Sequence, residues 1–173
     1  MNISIQPIGE IDASILEYLR RKLAGTFGCP VIIAPGIDIP PHAYRQSRRQ
    51  YVASDFLILL NSLKKGADDK IIGIVDIDLF APGLNFVFGQ ADMNSGTSII
   101  SLYRLKQDLY DLPADEKLFL ERMVKEAVHE LGHTFGLDHC LDRHCVMHFS
   151  NSLSDTDWKQ DSFCNLCQPK LIP

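Results

Sequence analysis

Between residues 129 and 139 the chain reads His-Glu-Leu-Gly-His-Thr-Phe-Gly-Leu-Asp-His, and this string limits the fold more than any other stretch. On an α-helix His129 and His133 are four residues apart, so both imidazoles stand on one face. Glu130 follows about 100° round the helix, near enough to work on a water beside an ion held by the histidines without ligating that ion. Leu131 lies about 200° from His129 and joins Leu120, Val124, Ala127 or Val128, and Phe135 in an apolar stripe. The helix should therefore pack by that stripe and turn its histidines into a cleft. Gly136 suits the left-handed cap that ends such a helix, which lets His139 return as a third ligand. Three neutral imidazoles leave one tetrahedral position of a zinc ion open, the mark of a catalytic rather than a closed site.

The rest of the chain has to supply a scaffold for this helix. Residues 2–8 alternate as a strand. Asp12 caps a helix over about 13–25, with Ile15, Leu16, Leu19 and Leu23 at helical spacing. The apolar run 29–34 reads as a buried strand, followed by a proline-rich loop with Pro35, Pro40 and Pro41 and a helix over about 47–65. Strands follow at 70–76 and 97–105, with an irregular or edge strand within 80–95. The active-site helix begins near Pro113, where Asp115 and Glu116 favour the positive end of its dipole. This β-α-β-α-β order predicts a mixed α/β (α+β) fold with a twisted, mostly parallel sheet.

At 173 residues the chain is expected to be one domain. Its sheet-and-helix part would cover about 1–112, and the active-site helix with the metal-bearing segment about 113–173. A hydrophobic fraction of 46% against 23% charged is that of a globular protein, and no apolar run reaches the roughly 20 residues that span a bilayer. The net charge of −5 argues against a nucleic-acid partner. The one basic cluster, Arg45, Arg48 and Arg49, reads as a solvated helix start. No secretory leader is visible at the N-terminus, so a cytoplasmic location is expected.

Cys140, Cys145, Cys164 and Cys167 form a C-x4-C and a C-x2-C pair, while Cys29 stands alone. Without a secretion signal, clustered cysteines point to metal rather than disulfides. Four thiolates make a closed tetrahedral zinc site that contributes folding energy. Because Cys140 directly follows His139, neighbouring residues would serve two different ions, and the second zinc would brace the loop carrying the third histidine. Two Zn2+ ions per chain are thus expected, one catalytic and one structural.

The full string from His129 to His139 is the metzincin signature of zinc peptidases. With Cys145-Val146-Met147, the stretch 149–152 (Phe-Ser-Asn-Ser) and Cys164-Asn165-Leu166-Cys167, the chain resembles the archaemetzincins. The resemblance extends to Arg48-Arg49-Gln50-Tyr51, Asn85-Phe86-Val87-Phe88-Gly89 and Ser101-Leu102-Tyr103-Arg104-Leu105, and so covers nearly the whole chain. It implies a compact metzincin-like domain with a zinc-braced C-terminal segment, Met147 in a turn beneath the metal, and peptidase activity on peptide or protein substrates, with an aminopeptidase-like reading attached. One departure stands out. Phe149 occupies the place where metzincins such as the astacins carry a tyrosine that can touch zinc or substrate.

The expected chemistry follows from the residues. Zinc lowers the pKa of water to about 7 and polarises a carbonyl, while Glu130 takes the attacking water's proton and passes it to the leaving amine. An edge strand near 86–89 would pair with an extended substrate. Asp76, Asp78 and Asp92 are candidates for holding a free α-amino group, against the plainer reading of loop or cap residues. His148 is a candidate partner of the metal ligands, against a plain surface histidine. The alternative to an enzyme is a metal-stabilised binding or regulatory protein with weak or no turnover, which the missing tyrosine favours and Glu130 opposes.

Overall fold

The computed structural model describes residues 2–171. Its main sheet has the order β2-β1-β5-β8-β7, formed by β1 (Ile3–Pro7), β2 (Val31–Ile33), β5 (Lys70–Val75), β8 (Thr97–Ser101) and β7 (Gly89–Asp92). The first four run parallel. β7 closes one edge antiparallel to β8, with Gly89 opposite Ile100 and Asp92 opposite Thr97. Parallel strands need both faces covered, and the β-branched runs of β5 and β8 serve that need. Ile72, Ile74 and Ile100 face one core with α1 (Ala13–Phe27) and α3 (Glu116–Thr134). Ile71, Val75 and Ile99 face the other with α2 (Ala53–Leu63). The fold is therefore mixed α/β with a mostly parallel sheet, as the element order implied.

The first helix is capped as expected, Asp12 accepting from the Ser14 amide. Elsewhere the structure corrects the boundaries. The helix expected over 47–65 starts only at Ala53, because Gln50–Val52 forms β4. β4 joins β3 (Tyr44–Arg45) and β6 (Leu79–Phe80) in a second, three-stranded sheet. The basic cluster is consequently not a helix start. Arg48 donates to the carbonyls of Leu84 and Asn85 and lies 4.2 Å from the centre of the Phe80 ring, which pins the loop that follows β6. Arg45 pairs with Asp55. β8 stops at Ser101, and 3-10 turns carry the chain through Tyr103–Leu105 and Gln107–Tyr110.

α3 begins at Glu116 rather than near Pro113, with the Asp115 carboxylate accepting from the Leu118 amide. It is not a helix with one packed face and one open one. From Arg122 to Gly132 every residue is buried, because the sheet covers one side and the C-terminal segment the other. That segment includes α4 (Leu153–Trp158), unforeseen in the sequence, which Ser152 caps. Three buried charges on α3, Arg122, Lys125 and Glu126, serve this contact. Arg122 makes two 2.6 Å bonds to Asp157, and Lys125 donates to the carbonyls of Thr156 and Asp157. Lys159, whose side chain is fully buried, lies 3.0 Å from Glu126. No helix among the described residues is long and apolar enough to cross a membrane.

Candidate metal centre and its cleft

α3 ends as its sequence requires. The last helical residue is Thr134, and Gly136 takes φ +87°, a left-handed conformation that other residues adopt only with strain. The chain then turns back and brings His139 beside the two helical histidines. The ring of His139 lies 4.8 Å from that of His133 and 5.3 Å from that of His129, centre to centre.

The hydrogen bonds fix the chemistry of the first two rings. His129 Nδ1 is 2.8 Å from the Val146 carbonyl, and His133 Nδ1 is 2.7 Å from the Leu137 carbonyl. A carbonyl has no proton to give, so both Nδ1 atoms carry the hydrogen and both Nε2 atoms present lone pairs. Those two Nε2 atoms face each other at 3.1 Å. Two lone pairs that close repel unless a cation lies between them, and a divalent ion meets this need directly. Burial holds His129 well below the usual imidazole range, with Lys159 and His133 adding to the effect. Burial also lowers His133 and His139. All three imidazoles are thus kept neutral, as metal ligands must be.

Glu130 stands beside them under the edge strand. A Cβ placed on Gly89 of β7 would lie 2.6 Å from Glu130 Cγ and 2.7 Å from Oε1, so strand and carboxylate meet only because residue 89 has no side chain. Burial raises the Glu130 carboxyl well above the ordinary 4.5, Glu126 raises it further, and Lys159 opposes them. A carboxylate poised in this way is suited to accept a proton and give it up again.

Val146 and Met147 underlie the site. The Val146 carbonyl orients His129, while Met147 Sδ packs onto Gly132 in the space a side chain would need. His148 donates through Nδ1 to the Cys140 carbonyl at 2.9 Å, so it braces the loop rather than the surface. A cleft of about 560 Å³ opens over His129, Glu130, His133 and His139. The 83–93 stretch forms one wall and Phe149–Asn151 the other. Phe149 lies 5.0 Å from the His139 ring, centre to centre.

The three aspartates weighed from sequence are placed elsewhere. Asp78 makes two bonds to Arg104, Asp76 pairs with Lys106, and Asp92 caps its own turn by accepting from the Asn94 amide. Glu126 and Lys159, which line and underlie the cleft, escaped sequence analysis. Glu126 stands one helical turn before Glu130, a usable signal. Nothing in the sequence marks Lys159 as buried.

Cys140, Cys145, Cys164 and Cys167 meet in a second cluster, with all four sulfurs within 4.8 Å of one another. None is in a disulfide. Cys140 and Cys164 are 3.8 Å apart at Sγ, which matches the edge of a tetrahedron with bonds of about 2.3 Å to zinc. Burial pushes the Cys164 thiol up, but hydrogen bonds from the Leu166 and Cys167 backbone and from Cys145 and Cys167 outweigh it and bring it down to about 7. Burial raises Cys145, and burial with the surrounding thiols raises Cys167. Four thiols this close ionise together only around a cation. His144 is exposed and lies outside the cluster.

A helix lending two imidazoles and a carboxylate, met by a third imidazole after a glycine turn, defines a metallopeptidase. Residues 16–172 match the model of peptidase family M54. The archaemetzincin of Pyrococcus abyssi is 44% identical over 175 residues, covering 98% of this chain and 93% of that protein. The crystal structure of the archaemetzincin of Archaeoglobus fulgidus complexed with malonate superposes with a TM-score of 0.85 at 38% identity, covering 98% of this chain and 99% of that one. A zinc-dependent peptidase from Methanocorpusculum labreanum reaches a TM-score of 0.90 at 29% identity, covering 98% and 100%. This chain belongs to peptidase family M54, the archaemetzincins, and with them to the zinc-dependent metallopeptidases.

Proposed function

We propose that the chain hydrolyses peptide bonds with zinc held by His129, His133 and His139 and with Glu130 as general base. The observation that carries this reading is the pair of opposed Nε2 lone pairs with an unpaired carboxylate at their side. When bound, zinc supplies Lewis acidity, polarising the scissile carbonyl and easing deprotonation of water. Glu130 accepts the attacking water's proton, and its raised affinity for that proton suits it to deliver it to the departing amine. The Val146 and Leu137 carbonyls hold two imidazoles in the ligating tautomer. An extended substrate would lie along β7, whose outer edge has no strand partner among the described residues, and hydrogen-bond to its backbone. Cys140, Cys145, Cys164 and Cys167 would hold a second zinc that braces the His139 loop, with Met147 as the floor of the first site.

The alternative of a metal-stabilised binding protein keeps one observation on its side, since Phe149 stands where a tyrosine would donate to the developing oxyanion. A peptide library offered to the zinc-loaded chain and to Glu130→Ala separates the two. Cleavage that falls by about 10³-fold or more in the variant supports the peptidase. Absence of cleavage by the zinc-loaded wild type supports the binding protein.

A further inference from the structure

The wall of the cleft that leads into β7 is held by side chains from outside the cleft. Residues 82–85 are exposed, so the tip of this wall has no apolar burial. Backbone bonds run within its base, from the Leu84 amide to the Ala81 carbonyl and from the Val87 amide to the Leu79 carbonyl. The other ties come from a polar chain of four residues. Asp78 accepts two bonds from Arg104, at 2.6 and 2.7 Å, and a third from Gln50 Nε2 at 3.1 Å. Gln50 Nε2 also donates to the Asn85 carbonyl at 2.9 Å, and Gln50 Oε1 accepts from Arg48 Nε at 3.0 Å. Arg48 then donates to the Leu84 and Asn85 carbonyls, each at 3.0 Å. At the far end of the chain the Arg104 guanidinium lies 4.4 Å from the centre of the Phe86 ring, which meets Phe88 edge to face at 5.2 Å.

Both hydrogens and the oxygen of the Gln50 amide are engaged, so the network has one arrangement. It grips a tip that buries nothing, and it therefore adds little to the core. What it does fix is the placement of Leu84 and Phe86, which line the same cleft as His129 and Glu130. The wall is also continuous with the edge strand. The Phe88 carbonyl accepts from the Ser101 amide of β8, and β7 begins at the next residue. A peptide laid along β7 runs onto Leu84 and Phe86 at one of its ends. Binding energy from parts of a substrate remote from the reacting bond is what holds that bond in place.

We infer that Arg48, Gln50 and Arg104 are positioning residues that hold Leu84 and Phe86 as an apolar wall for an oligopeptide residue beyond the scissile bond. All three lie outside the cleft lining and act through the wall. The inference rests on the peptidase reading for the ligand being a peptide, and on the polar chain and the wall for its reach and its apolar end.

Two series of hydroxamates, whose chelating group anchors at the three-histidine site, test this by calorimetry on the zinc-loaded protein. One series extends by one to four residues from the N-terminal side of the chelating group, the other from the C-terminal side. Each ends in leucine or serine, and acetohydroxamate is the parent without a peptide. At the length that reaches the wall, leucine should exceed serine by about tenfold. That ratio should fall towards one in Arg48→Met, which changes an exposed residue, and in Arg104→Lys, which keeps a positive charge beside Asp78. Arg48→Lys, which keeps a donor for the two carbonyls, should restore part of it. Zinc content and acetohydroxamate affinity should stay at wild-type values throughout. In N-acetylated peptides of the same sequences the loss should fall in KM. A ratio of one at every length in both series overturns the inference. So does a ratio unchanged in the variants, or a fall in zinc content and acetohydroxamate affinity that accompanies its loss. If no peptide is cleaved, the peptidase reading falls while the hydroxamate affinities still decide the wall.

Discussion

A methyl group on Gly89 would meet Glu130 on one side and the Ile99 carbonyl oxygen, at 2.7 Å, on the other. The carboxylate can swing away, but the carbonyl belongs to β8 and cannot. Gly89→Ala should therefore displace both the edge strand and Glu130, costing about 1–3 kcal/mol in urea denaturation and lowering kcat with zinc content unchanged. The titration of Glu130 and His129 makes a second test, in the metal-free chain held in chelator. His129 lies well below its ordinary 6.5 when folded. Just below pH 6.5 the unfolded chain then binds more protons, so this contribution to stability is lost on acidification through that range. Glu130 lies well above its ordinary 4.5. Its contribution is present below pH 4.5 and lost as pH rises towards its folded value. The two oppose each other between 4.5 and 6.5, so metal-free Glu130→Gln should gain stability with rising pH more steeply than wild type across that window. Parallel curves in the two proteins would contradict the assignment.

Among the elements, the loop from Leu137 to His148 depends most on chemistry outside itself. Leu137, Val146 and Met147 anchor its ends in the core, and the stretch between them is held by the Cys140 amide to the Met147 carbonyl, by His148 to the Cys140 carbonyl, and by the cysteine cluster. In the proposed assignment Cys164→Ser removes the structural zinc, whose binding is folding free energy. Elemental analysis should show that ion lost, and hydrogen exchange should show the 137–148 amides opening together, with weaker zinc binding at the histidines. A variant that keeps both ions and its melting profile would refute the brace. The features legible in sequence here were local: the i, i+4 histidines, the Gly136 turn, the paired cysteines, and the Asp12 cap. What was misread depended on distant partners. Tyr51 and Val52 form a strand because Leu79 and Phe80 pair with them, and no helical or strand period within 47–65 announces that. The short α4 had a signal that went unused, since Ser152 and Asp155 cap each other across its first turn.

For the molecule as a whole, α3 is the common wall between a sheet whose order follows from β-α-β succession and a C-terminal segment whose position does not. Arg122, Lys125 and Glu126 look like the polar face of a surface helix in the sequence, yet they are buried against Asp157, Thr156 and Lys159. Their partners stand 30 to 35 residues away, which is why the burial of the helix on both sides was not legible. The adjacency of His139 and Cys140 has its own consequence at this scale. One peptide unit, about 3.8 Å between Cα atoms, separates a ligand of each proposed ion, so an ion at either site orders the chain that the other must grip. Such coupling is reciprocal by thermodynamic necessity: whatever factor the cysteine-bound zinc lends to the histidine site, the histidine-bound zinc returns. At limiting zinc, native mass spectrometry should find chains with two ions and chains with none, and half-loaded chains below the statistical share. The two sites would then behave as a single titrating unit, and a cell short of zinc would hold a smaller number of complete enzymes rather than a larger number of partial ones.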